Sequence, residues 1–207
     1  MASSTANARP VFVITGTSGE GKSTLARELV GRVPELELAV SATTRPRRPN
    51  EEDGRDYWFI SEEEFTRRLE AGEFVEWVEL PWGEGYRSGT LWSELDRISR
   101  LGHSPLLEIE TGGALAVRDR VPAAVTIFVT APSKEELERR LRERATESEG
   151  EIDERLDVAE RQLALESEFR HRIVNDDLNR ALDELEQIVR GALRGAGSIP
   201  ARDPSPH

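Results

Sequence analysis

Eight residues, Gly16-Thr17-Ser18-Gly19-Glu20-Gly21-Lys22-Ser23, constrain this chain more than any other segment. They satisfy the spacing G-x-x-x-x-G-K-S/T. The apolar, β-branched run Pro10–Thr15 precedes them and reads as a buried strand. Ser23–Val33 follows with helical spacing, Leu25, Leu29 and Val30 falling on one face. Strand, glycine-rich loop and helix in that order form the context a phosphate-binding loop requires. The glycines let the backbone curl until several N–H groups point inward at phosphate oxygens, and the helix adds its positive end. The lysine of such a loop reaches the β- and γ-phosphates, and the hydroxyl of Ser23 is the expected ligand of Mg²⁺. Gly16 to Ser23, with Thr24, are therefore the expected ATP-binding residues, Lys22 the expected catalytic one, and Ser23 the metal ligand. Composition singles out Lys22 as well. Of 28 basic residues only Lys22 and Lys134 are lysines, so a lysine here stands out in a chain that otherwise uses arginine.

The 207 residues suffice for one α/β domain with a proper core. No apolar stretch is long enough for a membrane span, and the first nine residues lack the apolar core of a secretory signal. The absence of cysteine removes disulfides and thiolate chemistry. A cytoplasmic protein is expected. The net charge of −12 argues against nucleic acid as a partner. Arginines nonetheless cluster at Arg45, Arg47 and Arg48, and again between Arg139 and Arg155. Such clusters fit a small polyanion in a pocket; the alternative is arginine–carboxylate pairing on solvated helix faces.

Further strands are expected at Leu36–Ser41, Tyr57–Ile60, Phe74–Leu80, Pro105–Glu110, Ala123–Thr130 and Arg172–Val174. Helices are expected from Ser61 (an N-cap, with Glu64 at the box position) to about Ala71, and over Leu91–Leu101 and Gly112–Arg120. Others run from the Ser133 cap to about Arg144, and over Glu151–Phe169 and Asp177–Leu193. Thr43–Gly54 and Pro81–Gly89 read as loops. Alternating strands and helices predict an α/β fold, a parallel sheet core flanked by helices. The stretch from about 36 to 90 breaks the alternation and reads as an inserted, small mixed subdomain. Residues 1–9 and 194–207 read as flexible ends around a domain of 10–193.

Ser41-Ala-Thr-Thr-Arg45-Pro-Arg-Arg48-Pro, Asp53-Gly54-Arg-Asp-Tyr57 and Gly72-Glu73-Phe74-Val75-Glu76-Trp77 together resemble the acceptor-binding part of guanylate kinases. The resemblance continues through Leu107-Glu108-Ile109-Glu110, Ala131-Pro132-Ser133, Arg140–Arg144 and Val174-Asn175-Asp176-Asp177, and so spans about residues 10 to 190. It implies a P-loop kinase fold with an acceptor-binding insert and a helical lid over about 140–156. It implies Mg²⁺-dependent transfer from ATP to GMP by a monomer or homodimer, with small molecules as the only partners. At the matching positions Arg45, Arg48 and Tyr57 hold the GMP phosphate, as two guanidiniums and a phenol suit a dianion. Ser41, Glu76 and Thr90 hold the guanine. A carboxylate accepts from both N1–H and N2–H of guanine, whereas adenine has no such donor pair; without the resemblance, Glu76 reads as one exposed strand residue between Glu73 and Glu79. Arg140, Arg144 and Arg155 match the lid and, with Arg45, the catalytic charges. Asn175 matches a position near the adenine.

Three departures fall on the acceptor side. The family's D-x-Q-G reads here Glu110-Thr111-Gly112-Gly113: the carboxylate is longer and the glutamine is gone. Its N-x-Y-G-T reads Gly85-Tyr86-Arg87-Ser88-Gly89-Thr90 and looks lengthened, so Tyr86 supplies the phosphate-binding tyrosine or Arg87 replaces it. Its lid R-G-T reads Arg144-Ala145-Thr146. These departures leave two further readings, a kinase for a modified or deoxy purine nucleotide and a non-catalytic binding module. Retention of the loop, Lys22 and Ser23 argues against the last.

Overall fold

The computed structural model describes residues 9–17, 20–80, 85–144 and 149–196, without the side chains of 141, 143, 144, 149–155 and 196. The terminal stretches 1–8 and 197–207, and Ser18 and Gly19 of the loop, lie outside the described residues.

Five parallel strands form the larger sheet, in the order β2-β7-β1-β8-β9. They are β1 (Phe12–Gly16), β2 (Leu36–Leu38), β7 (Ser104–Glu108), β8 (Val125–Thr130) and β9 (His171–Val174). β1 is central, so both its faces are covered and its run is continuously apolar, as a buried parallel strand must be. Phe12 and Ile14 face one layer, in which Leu25, Ala26 and Leu29 of α1 (Lys22–Arg32) meet Leu182, Leu185 and Val189 of α7 (Leu178–Ala196). Val13, on the other face, packs with Leu95 of α3 (Trp92–Arg100) and with Ala114 and Val117 of α4 (Thr111–Arg120). The strand–helix alternation expected from the sequence is thus an α/β fold with helices on both faces. Among the described residues no helix is long and apolar enough to cross a membrane.

A second, four-stranded sheet has the order β4-β3-β6-β5. Its strands are β3 (Ala42–Thr43), β4 (Trp58–Phe59), β5 (Phe74–Glu79) and β6 (Arg87–Leu91). Phe65 of α2 (Glu62–Glu70) stacks on Phe74, with ring centroids 4.4 Å apart, and seals the far side of this sheet. Ser61 caps α2 by accepting from Glu64 N at 3.1 Å, while the Glu64 carboxylate turns outward to Arg67 and Arg68. Three boundaries differ from the sequence reading. Leu36–Leu38, placed in the insert, pairs with β7 in the large sheet, so the second sheet begins at Ala42. Residues 87–89, read as loop, are strand, because β6 is hydrogen-bonded on both sides, to β5 and β3. The helix expected to reach Phe169 ends earlier: α5 (Lys134–Arg144) is followed by α6 (Glu149–Leu163) and a short 3₁₀ turn. That turn brings the Phe169 ring against Phe128, 5.3 Å between centroids.

Candidate functional site

β1 ends at Gly16, whose φ of +140° and closeness to β8 exclude any side chain: a Cβ there would lie 1.9 Å from the Val129 carbonyl oxygen. The chain then leaves the sheet edge and returns as α1, with Gly21 as its left-handed N-cap. Lys22 Nζ donates to the carbonyls of Gly16 at 2.9 Å and Thr17 at 2.6 Å, so the ammonium lies over the loop it belongs to. Glu20 is fully buried beneath. It accepts from Thr17 Oγ1 at 2.8 Å and from Arg140 Nη1 at 3.3 Å, and burial outweighs these partners to push its carboxyl upward. Asn175 Nδ2 donates to Glu20 O at 2.7 Å, and Arg140 Nη2 donates to Asn175 O at 2.9 Å. Loop, α5 and the end of β9 are therefore one hydrogen-bonded unit. Two residues expected near ATP, Arg140 and Asn175, meet the loop through Glu20.

At the start of α1, Ser23 Oγ donates to Glu108 Oε1 at 3.0 Å. Glu108 ends β7, beside β1, and the sequence reading gave it no role. A hydroxyl and a carboxylate side by side are hard oxygen donors, the kind that a magnesium-sized dication accepts. Among the described residues no three His, Cys, Asp or Glu side chains converge to hold a metal by themselves. The donor set thus fits an ion that phosphate oxygens and water also coordinate.

Ser23 and Lys22 form one wall of a cavity of about 1270 Å³ between the two sheets, and Ser41, Tyr57, Glu76 and Glu110 line it further along. Glu76 is 3% exposed and accepts from Thr90 Oγ1 at 2.8 Å; Thr90 in turn lies 3.2 Å from Ser41 Oγ. Burial pushes the Glu76 carboxyl up to about 7. Gly113 makes room for it, since a Cβ there would stand 2.4 Å from Glu76 Oε2. Nearer the mouth, the Arg45 guanidinium grips Glu51 with both ends, at 2.7 and 3.1 Å, and lies over the Tyr57 ring at 5.4 Å. Arg48 N also donates to Glu51, at 2.8 Å, while the Arg48 side chain is exposed. Hydrogen bonds from Arg45 lower the Glu51 carboxyl below its ordinary value. Burial, with Glu108 nearby, raises the Tyr57 phenol, which keeps it an O–H donor. The Arg45 guanidinium, proposed for an anion, thus already holds the Glu51 carboxylate.

Of the expected acceptor residues, Ser41, Tyr57, Glu76 and Glu110 line the cavity, Thr90 braces Glu76, and Arg45 lies against Tyr57. Arg87 does not stand in for a phosphate-binding tyrosine. Strand alternation turns it to the opposite face, where it bonds Glu62, donates to Thr66 Oγ1 at 2.7 Å and covers the Phe65 ring at 4.6 Å. Tyr86 is half-buried and directly precedes β6. Ser88, which the sequence reading passed over, lines the cavity. It directly precedes Gly89-Thr90, the place of tyrosine in N-x-Y-G-T, so spacing alone could have found it. The side chains of Arg144 and Arg155 lie outside the described ones.

The guanylate kinase family model matches residues 7–192. The guanylate kinase of Rubrobacter xylanophilus is 46% identical over 185 residues, which cover 89% of this chain and 95% of that protein. That of Thermosynechococcus vestitus is 47% identical over 189 residues, 91% of this chain and 97% of that one. Among solved structures, the guanylate kinase from Anaplasma phagocytophilum matches with a TM-score of 0.71 at 29% identity, over 89% of this chain and 86% of that one.

Proposed function

The chain belongs to the guanylate kinase family, and from that premise we propose how its residues carry the conversion of GMP to GDP at the expense of ATP. It is a kinase, and phosphoryl transfer asks a protein for positioning and positive charge more than for covalent work. The loop from Gly16 to Thr24 holds the ATP phosphates on its N–H groups and the α1 N-terminus. Lys22 leaves its two carbonyl partners for the phosphate being transferred. Ser23, with Glu108 beside it, would hold Mg²⁺, which would supply positive charge against the phosphates. Arg140 approaches from α5, and Arg144 and Arg155 complete the lid charge.

On the acceptor side Arg45, Arg48 and Tyr57 take the GMP phosphate, with Tyr86 closing over it. Glu76 reads the base by accepting from N1–H and N2–H, held for that task by Thr90 and Ser41. Glu110 completes the acceptor wall. One observation carries this reading: the buried carboxylate of Glu76 and the ammonium of Lys22 line the same cavity. A cytoplasmic setting supplies both nucleotides, and the product enters purine nucleotide metabolism.

The division of labour is tested at Lys22. Lys22→Met should lower kcat for GMP by at least about a hundredfold, since it removes a charge-assisted contact made to the transferring group. GMP binding, measured by calorimetry, should change less than about threefold. A turnover rate within a few-fold of the unaltered enzyme would sink this mechanism.

A further inference from the structure

We propose that Gln162 of α6 is a positioning residue for the acceptor. Its amide fixes the Glu110 carboxylate where that group meets the nucleotide, in place of the glutamine missing at position 112. The inference rests on the reading of Glu110 as an acceptor-binding residue.

Gln162 Nε2 donates to Glu110 Oε2 at 3.0 Å, in a half-buried contact that joins α6 to the N-cap of α4. A carboxylate only accepts, so the amide nitrogen must face it. The amide oxygen is then turned inward, and Gln162 Oε1 is buried with no hydrogen-bond partner among the described residues. An arrangement that leaves one amide atom unsatisfied persists only when the bond at the other end outweighs it, and a bond to a charged group is the stronger kind.

Glu110 needs such a partner. It is the N-cap residue of α4 but makes no side-chain cap bond, so its own helix does not hold it. It also carries one more rotatable bond than the family's aspartate, and so has more freedom to lose on ordering. The family pattern sets a glutamine two residues after the carboxylate. Here Gly112 stands there, and a Cβ on it would meet only Val78 Cγ1, at 3.7 Å. The space is open: Gly112, Val78, Glu110 and Gln162 all line a groove of about 570 Å³ beside the acceptor cavity. Glu110 and Val78 line both. The amide beside the carboxylate has therefore moved from α4 to α6, the helix whose first turns belong to the lid. Ordering of that helix and seating of the acceptor become linked through one hydrogen bond.

The test compares Gln162→Met (similar in shape, no donor), Gln162→Glu and Glu110→Ala by steady-state kinetics with GMP and ATP varied separately. Gln162→Met and Gln162→Glu should each raise KM for GMP about tenfold, the effect of losing a hydrogen bond to a charged group. KM for ATP should stay within about twofold. Adding Gly112→Gln to Gln162→Met should recover part of the GMP affinity, because the new amide fills the open space beside Glu110. If Glu110→Ala raises KM for GMP and Gln162→Met does not, the inference is overturned and the reading of Glu110 stands. If Glu110→Ala leaves KM for GMP unchanged, that reading fails and takes the inference with it. An equal rise in both KM values with Gln162→Met would mark a merely structural role and would also overturn it.

Discussion

The role proposed for Glu76, reading the base, depends on its burial, and that burial has a measurable signature. Its carboxyl, pushed up to about 7 by desolvation, must be ionised to accept from two guanine N–H groups. GMP binding therefore favours the carboxylate, and KM for GMP should fall about tenfold as pH rises from 6 to 8. The phosphate of GMP titrates in the same range. Glu76→Gln keeps that titration and should lose only the component due to Glu76, which the difference between the two profiles isolates. Identical profiles would remove Glu76 from the base. The same shift acts on stability. The folded protein binds this proton more tightly than the unfolded chain, so stability falls as pH rises from about 4.5 to about 7 and the loss is complete above that. Glu76→Gln should therefore gain stability over the unaltered protein across that window, by a few kcal/mol at most. The gain is read from denaturant midpoints at pH 4.5 and 8. The place of Lys22 beside the loop was legible from motif spacing alone, whereas the place of Glu76 in the cavity was expected only through the family resemblance. The physical reason is a bulge in β5 between Phe74 and Glu76. Phe74 and Trp77 both pack toward Phe65 of α2, whereas Val75 joins the core and Glu76 lines the cavity. Two side chains on one face, Phe74 and Trp77, thus stand three positions apart, so simple alternation cannot place Glu76.

At the scale of elements, the glycines at the start of α4 divide into one that fills a role by its smallness and one that leaves space. Gly113→Ala drives a methyl into the Glu76 carboxylate, at 2.4 Å, whereas Gly112→Ala meets only Val78 at 3.7 Å. By helix propensity alone both changes should stabilise α4, each by about 0.5–1 kcal/mol. Gly112→Ala should show that gain with kinetics unchanged. Gly113→Ala should lose it and lower kcat/KM for GMP by at least about tenfold; thermal unfolding and GMP kinetics on both variants check this. If the two variants behave alike, the contact with Glu76 does not matter. The helix caps at Ser61 and Ser133 were legible because a cap is local: each hydroxyl accepts from the N–H three residues on, at 3.1 and 3.2 Å. β6 was not. Its Gly89 sits where a Cβ would lie 2.6 Å from Glu76 O, so close strand packing demanded a residue whose local signal is that of a turn.

In the whole molecule, two sheets share one cavity, Val75 of β5 packs into the core of the larger sheet, and residues 39–41 run between the sheets. Val40 N donates to Glu94 Oε1 at 3.0 Å, and Arg97 holds the buried Glu94 carboxylate from the next turn of α3, at 2.9 Å. The strap between the sheets is thereby anchored to the core by charge-assisted bonds. The cavity where the two sheets meet is lined by Lys22, Arg27, Arg55 and Arg97 together with carboxylates such as Glu76, Glu108 and Glu110. The existence of two units was legible from the break in strand–helix alternation. Strand order and the border at Ala42 were not, because pairing of β2 with β7 depends on residues nearly seventy positions apart. Whether this cavity is built for GMP is tested most directly by turnover of a nucleoside monophosphate panel at fixed ATP and Mg²⁺. The geometry at Glu76 predicts kcat/KM for GMP at least about a hundredfold above that for AMP, CMP and UMP, the discrimination expected when a buried carboxylate loses its donor pair. GMP turning over no faster than AMP, CMP and UMP would contradict it.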